Sequence, residues 1–103
     1  MEEHTIRVDS AKWPTLDIPA GISIVGDQLT VSAGSWPDFG GAVIALSPMA
    51  LTLDPSDGYL HLGRDGSIYL SAESLPYGPD LPEADLLAWK QEGQWHIKKL
   101  EII

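Results

Sequence analysis

The segment Thr52–Leu70, TLDPSDGYLHLGRDGSIYL, constrains the fold more than any other part of this chain. It reads as a turn, an alternating strand, a tight glycine-containing loop and a second alternating strand. Two loop lengths compete. A two-residue Asp65-Gly66 loop pairs Leu62 with Tyr69 and Leu60 with Ser71, which mixes polarity on both faces. A three-residue Arg64-Asp65-Gly66 loop sets Gly66 in the left-handed position of a bulge. It pairs Leu62 with Ile68 and Leu60 with Leu70 on one face, and His61 with Tyr69 and Tyr59 with Ser71 on the other. The second register separates the faces, and an antiparallel hairpin with that loop is expected.

The same logic extends in both directions. Ile22–Ala33 is a hairpin around Gly26-Asp27, with glycine first as a type II′ turn requires. That turn pairs Ile24 with Leu29 and Ile22 with Val31, leaving Ser23, Thr30, Val25 and Gln28 on the other face. Asp85–Lys99 is read as a third hairpin. A three-residue Gln91-Glu92-Gly93 loop pairs Trp89 with Trp95 and Leu87 with Ile97, and lets Asp85 oppose Lys99. Leu100 and Ile102 have the opposite parity to Ile97. A bulge, or a strand that leaves the sheet for another surface, is therefore expected there.

Breakers mark the remaining segments. His4–Asp9 alternates and forms a first strand; Pro14 and Pro19 make Ser10–Gly21 an arm or loop. Gly34–Gly41, GSWPDFGG, is read as a loop. Ala42–Leu53 forms two short strands about Pro48, Asp54–Gly58 a turn, and Ser71–Glu83 a proline-rich crossing loop. Residues 1–21 are thus an N-terminal strand and arm, and residues 22–103 a single domain. The fold class is all-β, a small antiparallel sandwich or open barrel of about seven to nine short hairpin-connected strands.

Composition bounds function. The 103 residues carry 15 acids against 6 bases, a formal net charge of −9 that offers no basic patch for a phosphate backbone or an anionic membrane. No apolar run approaches the roughly 20 residues needed to span a bilayer. There are no cysteines, so disulfides and thiolate metal sites are excluded. The opening MEEHTIRVDS is acidic and polar, unlike a secretory signal, and predicts assembly in the cytoplasm.

No catalytic motif is present: there is no GxSxG, no phosphate-binding glycine loop and no defensible Ser/His/Asp order. His4, His61 and His96 have no ligand spacing among them, and half-exposed strand positions are expected for the last two. DPSDG shares two acids and a glycine with a calcium loop but lacks its alternate acids and distal glutamate, and reads as a turn. Neither catalytic nor metal-binding residues, and no cofactor, are expected. The aromatic residues are more suggestive. Trp36 and Phe39 either plug one end of the sandwich, or stack on a glycan, or meet a neighbouring subunit. Trp13 packs on the body or on a second copy. The apolar end Leu100-Glu101-Ile102-Ile103 is either the last core strand or is held by a partner.

From Gln28 onward the order of features resembles a β-domain of phage tail, tail-fibre and baseplate proteins. The matching pieces are LTVSAG, Gly40-Gly41 with AVIAL, LTLDPSDGYLHL, RDGSIYL, the SLPYGPDLPEAD loop, LLAW and HIKKLEII, about three quarters of the chain. Many such modules lead into further chain, whereas this one stops at Ile103, which suits a compact virion part. The resemblance implies a non-enzymatic structural protein of the virion, assembled in a bacterial cytoplasm with other virion proteins and with copies of itself, a trimer being one arrangement. Interface candidates are Trp13, Trp36, Phe39, Leu100, Ile102 and Ile103. A glycan-binding, host-recognition role through Trp36 and Phe39 is the alternative.

Overall fold

The computed structural model describes residues 1–38, 41–73 and 83–103. Ten strands are present among them: β1 (Glu2–Val8), β2 (Ile22–Val25), β3 (Gln28–Val31), β4 (Gly34–Pro37), β5 (Val43–Leu46), β6 (Met49–Thr52), β7 (Tyr59–Gly63), β8 (Ile68–Ser71), β9 (Glu83–Gln91) and β10 (Gln94–Ile102). They form a five-stranded sheet of order β1-β10-β9-β7-β8, a three-stranded sheet β2-β3-β6 and a two-stranded sheet β4-β5. The chain is all-β and built mainly from antiparallel pairs, as a small sandwich. Among the described residues no helix is long and apolar enough to cross a membrane.

Two hairpins follow their turn chemistry. The β2–β3 ladder pairs Ile24 with Leu29 and Ile22 with Val31 across Gly26 (φ 63°). The β7–β8 ladder pairs Leu62 with Ile68, Leu60 with Leu70, His61 with Tyr69 and Tyr59 with Ser71. Gly66, at φ 89°, closes the three-residue loop, and its N–H donates to the Gly63 carbonyl at 3.0 Å. The aliphatic faces of these hairpins meet in one core. Leu29, Leu60, Leu62 and Leu87 are each 0% exposed, and each such burial stabilises the fold by about 1.5–3 kcal/mol.

The β9–β10 hairpin differs from the three-residue reading. Gln91 pairs with Gln94, so the loop is the two residues Glu92-Gly93. Both have positive φ, 54° and 77°, as a type I′ turn requires. Trp89 therefore opposes His96, Trp95 opposes Lys90, and Ile97 opposes Ala88. The irregularity that reconciles this register with burial lies in β9. Leu60 pairs with Ala88 but His61 with Leu86, so Leu87 is an extra residue on the bulged strand. The bulge lets Leu86, Leu87 and Ala88 all be buried in succession. Lys99 is in register with Thr5, and its ammonium lies 3.9 Å from Glu3 rather than opposite Asp85.

Gly34–Gly41 is not simply a loop. Gly34–Pro37 is β4, paired with β5 from Gly34↔Leu46 to Pro37↔Val43, which raises the strand number above the seven to nine expected. The proline-containing arm joins it. Ser35 donates to the Ile18 carbonyl at 2.8 Å, and Ala20 donates to the Ser35 carbonyl at 3.1 Å. Glycine is needed at position 34 because a Cβ there would fall 2.7 Å from both Ala20 N and the Ile18 carbonyl oxygen. Residues 1–21 are thereby joined to the body, and Val8, Leu16 and Ala20 belong to the same core as Leu29 and Leu60.

The chain's two ends also pair, in parallel. β1 runs beside β10 without interruption from Glu2↔His96 to Val8↔Ile102. The ladder is extended by Ile103 N–H donating to Val8 at 2.9 Å and Ser10 N–H to Ile103 at 3.1 Å. The β9 register ends at Ile97, and beyond it β10 continues against β1 with the other face, bearing Leu100, in the core. The strand does not leave the sheet for another surface: β10 stays in the five-stranded sheet, and only its pairing with β9 ends while that with β1 continues.

Two stability changes follow. Gly34→Ala forces the arm away from β4 and lowers the unfolding free energy by about 1–3 kcal/mol, read as a lower urea midpoint. Glu92→Asn relieves a left-handed non-glycine residue and raises stability by about 1 kcal/mol, read as a higher midpoint with an unchanged slope.

Candidate interaction surface

An open groove of ≈ 330 Å³ crosses the seam where β1, β10, the arm and β4 meet. Trp36 (1% exposed) and Leu100 (7%) are buried residues in its lining. Ile6 and Trp13 also line it, Ile6 being 43% exposed on the outer strand of the sheet. Lys12, Lys98 and Asp38 supply charge, and the Lys12 ammonium lies 4.6 Å from the Trp13 ring centroid, a cation–π contact. Trp13 Nε1 and Asp38 Oδ1 are buried with no hydrogen-bond partner among the described residues.

The local sequence explains the placement. Asp9 starts the turn that carries Trp13 back over the sheet: its Oδ1 accepts from Ala11 N–H at 2.9 Å, and its carbonyl accepts from Lys12 at 3.0 Å and Trp13 at 3.2 Å. Alternation along β4 then turns Trp36 inward between half-exposed neighbours.

Three of the six interface candidates, Trp13, Trp36 and Leu100, thus meet at one groove. Trp36 is a core residue rather than a free ring, so neither a subunit nor a sugar can lie flat on it; the glycan-stacking expectation for Trp36 is corrected by its burial. Leu100 belongs to the last core strand. Ile102 is half-buried against the core, and Ile103 is 62% exposed. Phe39 lies outside the described residues, as does most of the proline-rich crossing loop. Ile6 escaped notice in the sequence, where one isoleucine in an alternating strand carries no mark of an edge position.

The histidines divide into two environments. His61, expected to be half-exposed, is 0% exposed. Its ring neighbours those of Tyr59 (6.2 Å) and Tyr69 (5.7 Å). His4 and His96 come together instead: His4 Nε2 lies 2.9 Å from His96 Nδ1, which lies 3.1 Å from Glu2 Oε2. Trp89 closes this cluster, with its ring 5.6 Å from His96 at 5° and 4.9 Å from His4. The spacing Glu2-x-His4 places both on one face of a strand, but the third member comes from the far end of the chain through a parallel pairing that leaves no local signal.

The acidic turns use their carboxylates internally. Asp54 Oδ1 accepts from Ser56 N–H at 3.1 Å and Oγ at 2.9 Å, and Asp57 Oδ2 accepts from Asp54 N–H at 2.9 Å. In the β7–β8 loop, Asp65 Oδ1 accepts from Ser67 Oγ at 2.6 Å and Ser67 N–H at 3.0 Å. These bonds hold both Asp54 and Asp65 below the usual carboxylate value, through the Ser56 backbone and hydroxyl for Asp54 and the Ser67 hydroxyl and backbone for Asp65.

No family model matches the chain, and no curated protein matches it. Among solved structures, the crystal structure of the gene 22 product of the Bacillus subtilis phage SPP1 superposes with a TM-score of 0.55 at 13% sequence identity. The match covers 99% of this chain and 92% of that one. At this identity the likeness establishes a common fold, and a fold by itself does not carry a site.

A depressed folded pKa gives stability that is present above the ordinary carboxylate value and is lost as pH falls through the folded one. Ser67→Ala therefore moves the Asp65 titration midpoint up toward the ordinary value, as measured by carboxyl-carbon NMR. The acid-side loss of hairpin stability attributable to this residue shrinks accordingly.

Proposed function

We propose that this chain is a non-enzymatic structural component of a phage-like particle, placed in the tail or baseplate, which assembles with copies of itself and with other virion proteins. The observation that carries this reading is the fold shared, over nearly the whole of both chains, with a phage gene product. The order of turns and strands from Gln28 onward supports it independently. The net charge of −9 disfavours nucleic acid as the partner and favours a basic protein surface.

In this reading the assembly surface consists of exposed apolar groups rather than of the Trp36 ring, which is buried. Ile6 and the half-buried Trp13 are what this groove offers a neighbour, over a floor already closed by Trp36 and Leu100. An apolar centre with a charged rim of Lys12, Lys98 and Asp38 is the pattern of a protein–protein contact.

Light scattering coupled to size exclusion tests the reading. A discrete oligomer is expected at high concentration, and Ile6→Asp, on an exposed position, shifts it to monomer without changing the far-ultraviolet circular dichroism. Mass spectrometry of purified particles from the source cell should also contain the chain. A protein monomeric at every concentration and absent from particles overturns the proposal.

A further inference from the structure

We propose that Glu2, His4 and His96 form a binding site for a late first-row divalent metal, Zn²⁺ foremost, that clips β1 to β10. The ligand atoms already converge: one from each residue, all within 4.8 Å of one another. The two closest separations are 2.9 Å between His4 Nε2 and His96 Nδ1, and 3.1 Å between that Nδ1 and Glu2 Oε2.

A count of protons shows why this convergence suits a cation. A neutral imidazole carries one N–H and one lone pair. If His96 Nδ1 bears the hydrogen, that single donor is shared between the Glu2 carboxylate and the His4 Nε2 lone pair. If His4 Nε2 bears it, the His96 Nδ1 lone pair accepts and the carboxylate faces that same lone pair. In either tautomer three Lewis-base atoms share one hydrogen. A metal accepts all three lone pairs together, with His4 protonated on Nδ1 and His96 on Nε2, so that both rings bind neutral.

The geometry needs small adjustments only. At metal–nitrogen distances of about 2.0–2.1 Å in a tetrahedral site, neighbouring ligand atoms lie about 3.3 Å apart. The His96 side chain is 14% exposed and stacked on Trp89, which fixes its plane. The Glu2 side chain is 55% exposed and free to swing toward the ion. Two imidazoles with one carboxylate suit Zn²⁺, Ni²⁺ or Cu²⁺ and not Mg²⁺ or Ca²⁺, and a fourth position faces solvent or an incoming ligand. Because Glu2 and His4 come from β1 and His96 from β10, binding cross-links residues 92 apart in the chain.

The test is calorimetric titration of chelator-stripped protein with ZnCl₂, alongside thermal melts. One ion per chain with micromolar affinity is expected, together with a Tm that rises with Zn²⁺ and does not move with Mg²⁺. Glu2→Gln, at an exposed position, weakens binding about tenfold or more, and His4→Asn abolishes it. In wild-type protein, Zn²⁺ shifts the imidazole NMR signals of His4 and His96 and leaves those of His61 in place, a readout that does not depend on any variant folding. Absence of heat at millimolar zinc, binding undiminished in both variants, several weak ions per chain, or shifts at His61 instead, would each overturn the proposal.

Discussion

The parallel ladder between β1 and β10 is the pairing on which the rest of the molecule depends. It joins the first strand to the last, completes the five-stranded sheet and brings Ile6 beside Leu100. Its partners are separated by 92 residues where His4 meets His96. Closing so long a loop costs on the order of 4 kcal/mol in chain entropy. A ladder of this kind cannot nucleate folding; it is stabilised only once the β9–β10 hairpin offers β10 as a template. The hydrophobic gain that offsets the cost is visible in Val8 and Leu100, both of which lie in the common core. The exposed edge of β1 carries Glu2, Glu3 and Arg7, charges that discourage a further strand from adding there.

The local hairpins were legible in the sequence because a turn and a burial pattern testified to the same register. At Gly26-Asp27 and at Arg64-Asp65-Gly66 the glycine conformation and the aliphatic pairs agree, and both ladders follow. At Glu92-Gly93 the two signals conflict. The apolar residues Leu87 and Ile97 favour three loop residues, while the chain adopts a two-residue turn and absorbs the difference in a bulge at Leu87. A bulge has no composition of its own in this stretch, so in the sequence the burial pattern points to the turn instead. β4 was hidden for a related reason. Its glycine and proline are ordinary breakers in sequence, yet Gly34 serves a close approach to the arm and Pro37 ends the strand.

The candidate site was legible in part, and the missing part is instructive. Trp13, Trp36 and Leu100 stand out in the sequence as large apolar groups beside breakers or at a chain end, and the fold gathers them. What the residues could not convey is depth. Trp36 lies at an inward position of a short strand, and its ring belongs to the core. Interaction then falls to smaller, more exposed groups such as Ile6, whose significance comes only from an edge position. His61 shows the same limit: alternation placed it opposite Tyr69 correctly, but that outer face is covered at this point.

β1 ties these features into one mechanical unit. Its period-two alternation places Glu2, His4, Ile6 and Val8 on a single face. At one end that face meets His96 and Trp89; in the middle Ile6 borders the groove; at the far end Val8 enters the core. A slip of one residue against β10 would turn all four to the other side at once. Whatever holds the His4–His96 end in register therefore also holds Ile6 beside Leu100, and the shape of the groove depends on a contact next to it but outside its lining. An edge strand paired on one side only is the part of a sheet most prone to local opening. A cross-link at its start and burial of Val8 at its end would confine that opening from both sides, leaving the groove between them as a fixed surface rather than a fluctuating one.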